Sequence, residues 1–253
     1  MTPDHKQTRL LHWLLPFVCS IVLVMMTPDT LAETAASGKM LSPPPSVELQ
    51  YTVRVKITAM SIGGRSIIQW ENKGNEYLIQ TSARGNALGQ VLESSSKGEI
   101  GSDALKPSLF KEKRIGKDET TVTFDRNHNT LLFSESDKTI PLEDNIQDRA
   151  SIVWQLASAA RANPEKFAPG STFTLKVVGR NKIDLWDFTI LDEETLQTAL
   201  GDINTIHIRR QDKKGKTTEV WLAPDMHWYP LRLIFDDNRN FRLEQVIKNI
   251  AQK

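Results

Sequence analysis

Histidines, serines and carboxylates are the residues best able to do chemistry in this chain, and their spacing assembles no site. Three histidines follow residue 32, at positions 128, 207 and 227. A local metal site places two ligands on one face, as an HExxH helix does, and none of the three repeats such a pattern. They read as surface or hydrogen-bonded side chains. No G-x-S-x-G elbow surrounds a serine. Ser151 follows Asp148 by three residues, a spacing that helix capping explains without catalysis. Asp184, Asp187, Asp192 and Glu193 are scattered among strand ends and nominate no acid–base couple. Gly63-Gly64, Gly85 and Gly89 read as turns or bulges, not as a phosphate cradle. The single cysteine, Cys19, sits in an apolar leader. Beyond it there is no thiol nucleophile, disulfide or zinc–thiolate ligand. No catalytic residue, metal ligand or cofactor is expected.

Binding is the chemistry that remains, and Arg149, Trp154, Trp221 and Arg232 are its candidates. Arg149 opens a helix, where a guanidinium can reach an anionic ligand or a strand carboxylate; the local ion pair is the commoner use. Trp154, Trp186, Trp221 and Trp228 can line an apolar cavity, against the commoner fate of an indole, which is core packing. Lysine plus arginine number 32 and aspartate plus glutamate 31, a formal net charge of +1. That balance gives no electrostatic case for nucleic acid or for an anionic membrane surface. The short basic clusters Lys111–Arg114 and Lys213–Lys216 read as solvated strand and hairpin surface.

These side chains must be held by a mostly β scaffold. Residues 47 to 57, VELQYTVRVKI, are apolar at every odd position and polar at every even one, which marks a long strand with one dry face. Roughly a dozen strand-length segments follow, broken by Asn72-Lys73-Gly74-Asn75, Gly101, Pro107, Gly116, Pro169-Gly170 and similar turn signals. Connections this short imply antiparallel neighbours. One convincing helix interrupts them, Gln147 to Asn163, with Ile152, Val153, Leu156, Ala157 and Ala160 on one face. Asp144 and Asp148 precede it as capping residues, and Asn163-Pro164 ends it. The expected fold is all-β and mainly antiparallel, a curved sheet or barrel with this helix packed on or in it.

The beginning of the chain reads as a secretory signal over residues 1–32. His5, Lys6 and Arg9 precede an apolar run to Met26, and Thr30-Leu31-Ala32 offers small residues for cleavage before Glu33. The alternative is an uncleaved inner-membrane anchor, which the shortness of the run and Pro16 disfavour. Val18 before Cys19 does not suit acylation. Residues 33–46, proline-rich and polar, read as a linker, and 47–253 as a single β-rich domain. After cleavage no stable membrane span is expected, and a periplasmic location is.

An ordered series of segments resembles a family of exported Gram-negative bacterial proteins, domain of unknown function 3108. Its carriers are Val47–Val53, Leu105-Lys106-Pro107, Phe124-Asp125, Gln147-Asp148-Arg149-Ala150-Ser151, Glu219-Val220-Trp221-Leu222-Ala223-Pro224-Asp225 and Tyr229-Pro230-Leu231-Arg232. The resemblance covers nearly the whole mature chain, from about Val47 to Ile250. It departs at Asn240, where the family pattern suggests glycine; asparagine tolerates the same left-handed backbone. It implies a periplasmic, mostly antiparallel β domain and brings no activity or site residues. The leading expectation is therefore a non-enzymatic protein holding a lipid-like ligand in its curved sheet. An envelope interaction module without a small ligand comes second, and a hydrolase with an unrecognised site third.

Overall fold

The computed structural model describes residues 40–252. The leader, its cleavage point, Cys19 and the first part of the linker lie outside the described residues. The strands are β1 (Val47–Ile57), β2 (Met60–Asn72), β3 (Glu76–Gly85), β4 (Gly89–Ile100), β5 (Leu105–Arg114), β6 (Thr120–Asp125), β7 (Thr130–Phe133) and β8 (Ser136–Pro141). Then come β9 (Gln147–Asp148), the helix α1 (Ser151–Ala162), β10 (Thr172–Val178), β11 (Ile183–Thr198), β12 (Gly201–Gln211), β13 (Thr217–Ala223), β14 (Tyr229–Asp236) and β15 (Phe241–Gln252). All join one curved, open sheet in the order β8-β7-β6-β5-β4-β3-β2-β1-β15-β14-β13-β12-β11-β10-β9. Every pairing is antiparallel except that of β9 with β10.

The alternation in β1 explains its central place. Val47, Leu49, Tyr51, Val53 and Val55 are all buried, while Thr52, Arg54 and Lys56 face solvent. Its two edges pair with β2 and with β15, Val47 standing opposite both Trp70 and Gln252. The fifteen strands exceed the dozen expected. β8 carries no strand signal in its sequence, because SDKTIP is a polar, largely exposed edge segment with no dry face. β9 lies within the span expected to be helical.

The helix is shorter than expected. Gln147 and Asp148 are extended and pair with Val177 and Val178, so α1 starts at Ser151. It is also buried all round: every residue except Ala159 and Arg161 is out of water, although the sequence shows only one apolar face. The sheet wraps it, and the polar residues on its other sides are satisfied locally. Gln155 accepts the Leu105 N–H at 2.7 Å, and the Ser158 hydroxyl donates to the Trp154 carbonyl at 2.6 Å. On the apolar side Trp154 stacks on Trp70 at 4.6 Å and meets the edge of Tyr229.

Residues 41–46, read as the end of a linker, lie against the domain. Arg161 donates to Ser42 Oγ and to the Pro43 carbonyl, both at 3.0 Å, and the Trp70 indole N–H donates to the Pro44 carbonyl at 2.9 Å. Proline suits this path, since it offers a carbonyl without needing a partner for an N–H.

The far edge of the sheet returns to the first half without a backbone ladder. Gln147 Nε2 donates to the Leu105 carbonyl at 2.7 Å, and Ser96 Oγ donates to Asp148 Oδ2 at 2.6 Å. Side chains of β9 thus reach β4 and β5 across the helix start. The β4–β5 pair beneath this seam is tight. A Cβ on Gly98 would stand 2.1 Å from the Lys106 carbonyl oxygen and 2.8 Å from Pro107 Cα, both backbone atoms. Gly98→Ala is expected to lower the unfolding free energy by about 1–3 kcal/mol, the usual range for forced overpacking, in urea unfolding followed by circular dichroism.

Candidate functional site

Where the sheet curves around the start of α1, the packing leaves a cavity of about 170 Å³. Its apolar walls include Ile79, Val91, Trp154, Trp186, Leu233 and Leu243, drawn from both halves of the sheet and from the helix. Its polar lining includes the carboxylates Glu112, Asp236 and Asp237 beside Arg114, Arg149, Arg210, Lys216 and Gln245.

Strand alternation places several of these. On β5 the inward run Phe110–Glu112–Arg114 alternates with exposed Lys111 and Lys113, so Glu112 is 4% exposed although it lies in a charged tetrad. The Lys111–Arg114 cluster is therefore not wholly solvated surface, as its composition suggested. The two Glu112 oxygens are taken by Arg149 Nη1 at 3.0 Å and Arg114 Nη2 at 2.9 Å. Arg149 reaches that position from the corner between β9 and α1, against the bare backbone of Gly179. Burial lowers its pKa, and Glu112 opposes the shift. On β12, Arg210 follows Ile206 and Ile208 on the inner face. Its guanidinium lies over the Trp186 ring at 4.5 Å and meets Asp212 at 3.5 Å.

Of the expected binding residues, Arg149 and Trp154 line this cavity together. Trp221 and Arg232 do not. They flank Val220 and Leu233, which pair across β13 and β14, and Leu233 faces the cavity, so Trp221 and Arg232 point to the other face. There they form a cross-strand ladder. His207 stacks on Trp221 with centroids 4.0 Å apart, Arg232 lies over the same indole at 4.5 Å, and Arg232 Nε donates to Glu244 at 3.0 Å.

The same ladder holds the group best able to bind a metal among the described residues. Ligand atoms of Asp192, Glu194 and His207 lie within 4.8 Å of one another. All three are already engaged: His207 Nε2 pairs with Glu219 at 2.9 Å, Asp192 approaches His207 Nδ1 at 3.6 Å, and the Trp221 indole N–H donates to Glu194. The hydrogen bond from His207 also holds the Glu219 carboxyl below its ordinary pKa. Local spacing could not reveal this group, because its members meet across β11, β12 and β13.

A third polar cluster is sealed in the core. Asp148 is fully buried; its Oδ1 accepts the Ala150 and Ser151 N–H groups, each at 2.8 Å, and Ser151 Oγ accepts the Asp148 N–H at 2.9 Å. This reciprocal arrangement starts the helix. Ser96 Oγ bonds Oδ2, and Tyr77 Oη lies 3.2 Å from Ser96 Oγ. Burial raises the Asp148 pKa to about 6, against the lowering effect of its hydrogen bonds. The Ser96–Asp148 contact resembles part of a hydrolytic arrangement, but Ser96 is fully buried and lines no part of the cavity. It is a structural network.

With the geometry in hand, known proteins give the relationship. A family model described as "Protein of unknown function (DUF3108)" matches residues 50–244. The chain belongs to the DUF3108 family. No curated protein matches it. Among solved structures, the DUF3108 domain is similar to a β-barrel-like protein of domain of unknown function DUF1849 from Brucella abortus. The match has 8% identity and a TM-score of 0.56, and covers 84% of this chain and 99% of that one. At that identity the likeness shows a shared fold. A protein from Bacteroides fragilis described as exported, with a YMCC-like fold, matches with 9% identity and TM-score 0.33 over 85% of this chain and 100% of its own. A Vibrio parahaemolyticus domain described as an outer membrane lipoprotein-sorting protein matches with 10% identity and TM-score 0.27, over 83% and 86%. The span matched by the DUF3108 model takes in Glu112, Arg149 and Arg210 and stops one residue before Gln245. No helix among the described residues is long and apolar enough to cross a membrane.

Proposed function

We propose that this DUF3108 protein is an exported, non-enzymatic binding module that holds an apolar or amphipathic, lipid-like ligand inside its curved sheet. The observation that carries this reading is the cavity between Trp154, Trp186 and the strand walls, with a few charged groups set into its apolar lining. Pockets for small ligands share that plan, a mainly apolar lining with a few placed polar groups. At about 170 Å³ it lies below the ~300–1,000 Å³ of drug-sized sites, so it suits one narrow chain with the rest of the molecule outside. The leader-like residues 1–32 support export to the periplasm.

Mass spectrometry tests the reading. The protein, exported with its own leader and purified without detergent, is measured intact under native conditions and again after organic extraction. A stoichiometric apolar adduct is expected. Ser94 lines the cavity with a small side chain, and Ser94→Trp is expected to fill the space and cut adduct occupancy about tenfold or more. A bare mass that persists after incubation with envelope lipids overturns the reading in favour of a module that works through a protein or cell-wall partner.

A further inference from the structure

Taking the apolar-ligand reading as its base, we infer that the occupant carries an anionic head group, received by Arg210 and Lys216 in the cavity's lining. The first ground is which charges remain unmatched there. Of the carboxylates lining the cavity, Glu112 is shared by Arg149 and Arg114. Asp236 holds Arg242 at 3.1 Å, and Asp237 Oδ1 accepts the N–H groups of Arg239, Asn240 and Phe241. None of them forms an ion pair with Arg210 or Lys216, and Lys216 has no ion pair among the described residues. In the lining itself Arg114, Arg149, Arg210 and Lys216 outnumber Glu112, Asp236 and Asp237 by one, while Asp212 and Asp237 face Lys216, and Asp212, Asp184 and Asp187 face Arg210, as counter-charges at longer range.

The second ground is how Arg210 is kept. Its side chain is 11% exposed, and its single ionic contact is the 3.5 Å approach to Asp212. A guanidinium carries five N–H donors, and a cation withdrawn from water needs close hydrogen-bonded partners. Its stacking on Trp186 holds the plane rigid at the cavity wall and leaves donors at its edge for a planar or tetrahedral oxyanion.

Gln245 supplies an independent observation. It is 1% exposed, lines the cavity among Leu243, Leu233 and other apolar side chains, and its Oε1 has no hydrogen-bond partner. Buried amide groups are ordinarily paired, so an acceptor left open at an apolar cavity points to a hydrogen-bond donor, a hydroxyl or amide N–H, on what fills it beside the anionic group. Apolar walls, an orphan amide and a cationic lip together describe an amphipath with a chain, a hydrogen-bond donor and a negative charge. A quaternary ammonium head would meet repulsion from the same lip.

A series of ligands with one chain and different heads reads this directly. Decanoate, decyl sulfate, decanol and decyltrimethylammonium are titrated into the wild-type protein at low ionic strength, with tryptophan fluorescence as the signal, since Trp154 and Trp186 face the site. The two anions are expected to bind about tenfold or more tightly than decanol, by the usual strength of a charge-assisted hydrogen bond in a desolvated site. That advantage should shrink as salt is added, and the cation should bind weakest. Arg210→Met keeps the stem over Trp186 and is expected to bring the anions to the affinity of decanol while leaving decanol unchanged. Arg232→Met, on the other face, should leave the series as it is. If decanol binds wild type as tightly as decanoate, the head-group inference fails and the apolar reading stands. If none of the four binds, the apolar reading itself fails.

Discussion

Trp70→Ala is expected to lower the unfolding free energy by about 3–5 kcal/mol, the range for removing a large buried aromatic. For a domain of this size the melting temperature should fall by roughly 6–20 °C. Three contacts are lost together. Trp70 is fully buried, stacks on Trp154 at 4.6 Å and on Tyr77 at 5.7 Å, and donates its indole N–H to the Pro44 carbonyl. It therefore joins β2, the helix and the segment before β1 at one point. Trp70→Phe separates the terms: it keeps a ring in the stack and leaves the Pro44 carbonyl only the longer 3.4 Å bond from Asn72 Nδ2, so its loss should be clearly smaller. Thermal unfolding followed by near-ultraviolet circular dichroism measures both. A change below about 1 kcal/mol for the alanine variant would mean that the stack is not a keystone of the fold.

The second large effect concerns Asp148. Asp148→Ala strips the acceptor from the part-buried Ala150 N–H and the buried Ser151 N–H at the helix start, and from the Ser96 hydroxyl. A lost cap and stranded buried donors together are expected to remove about 3–5 kcal/mol. Asp148→Asn behaves differently, since its Oδ1 still accepts both N–H groups and its amide can donate to Ser96. The pair also differs in pH dependence. The folded state binds the Asp148 proton more tightly than the unfolded chain does, because burial raises the pKa from 3.8 to about 6. Below both values the group is protonated in either state and carries no penalty. As pH rises from about 4 to 6, the unfolded chain ionises first, and stability falls by about 3 kcal/mol for two units of pKa. Above that window the penalty is constant. Other carboxylates run the opposite way, Glu219 among them, because their pKa values are lowered on folding. The difference between wild type and Asp148→Asn isolates the one group, and urea unfolding at pH 4, 5, 6 and 7 should show the asparagine variant gaining on wild type across the window. A constant difference would mean that Asp148 titrates in the folded state near its ordinary value.

What could be read from the sequence was local. β1 declares itself by strict alternation, and α1 by its apolar face and its Asn163-Pro164 ending. The cavity did not declare itself, because its polar lining draws on β5, β12 and β15, which only the curvature of the sheet brings together. A weaker signal was present. Glu112 sits two residues after Phe110, Arg210 two after Ile208, and Gln245 two after Leu243, so each extends a dry run at a period of two. A charge that prolongs the inward register of a strand marks an interior polar site more surely than its immediate neighbours mark a surface. Trp221 and Arg232 follow the same rule in reverse: each stands one residue out of step with the inward register, and each ends on the opposite face. The extra strand β9 was hidden for another reason. Two residues are too few to show a period, and their pairing partners Val177 and Val178 lie beyond the helix.

The position of β1 has a consequence for how the chain comes to be folded. Its two ladders reach forward to β2 and across the whole domain to β15. The first ladder can zip as soon as both strands exist, but the second waits until the segment after Phe241 has been made, so the middle of the sheet is the last part to be completed. Pairings so remote in sequence are slow to form, and synthesis at about 5–20 residues per second delays them further. A nascent chain of this design can form its local hairpins early, yet its two halves stay unjoined until β15 is made. It locks only once its two ends meet.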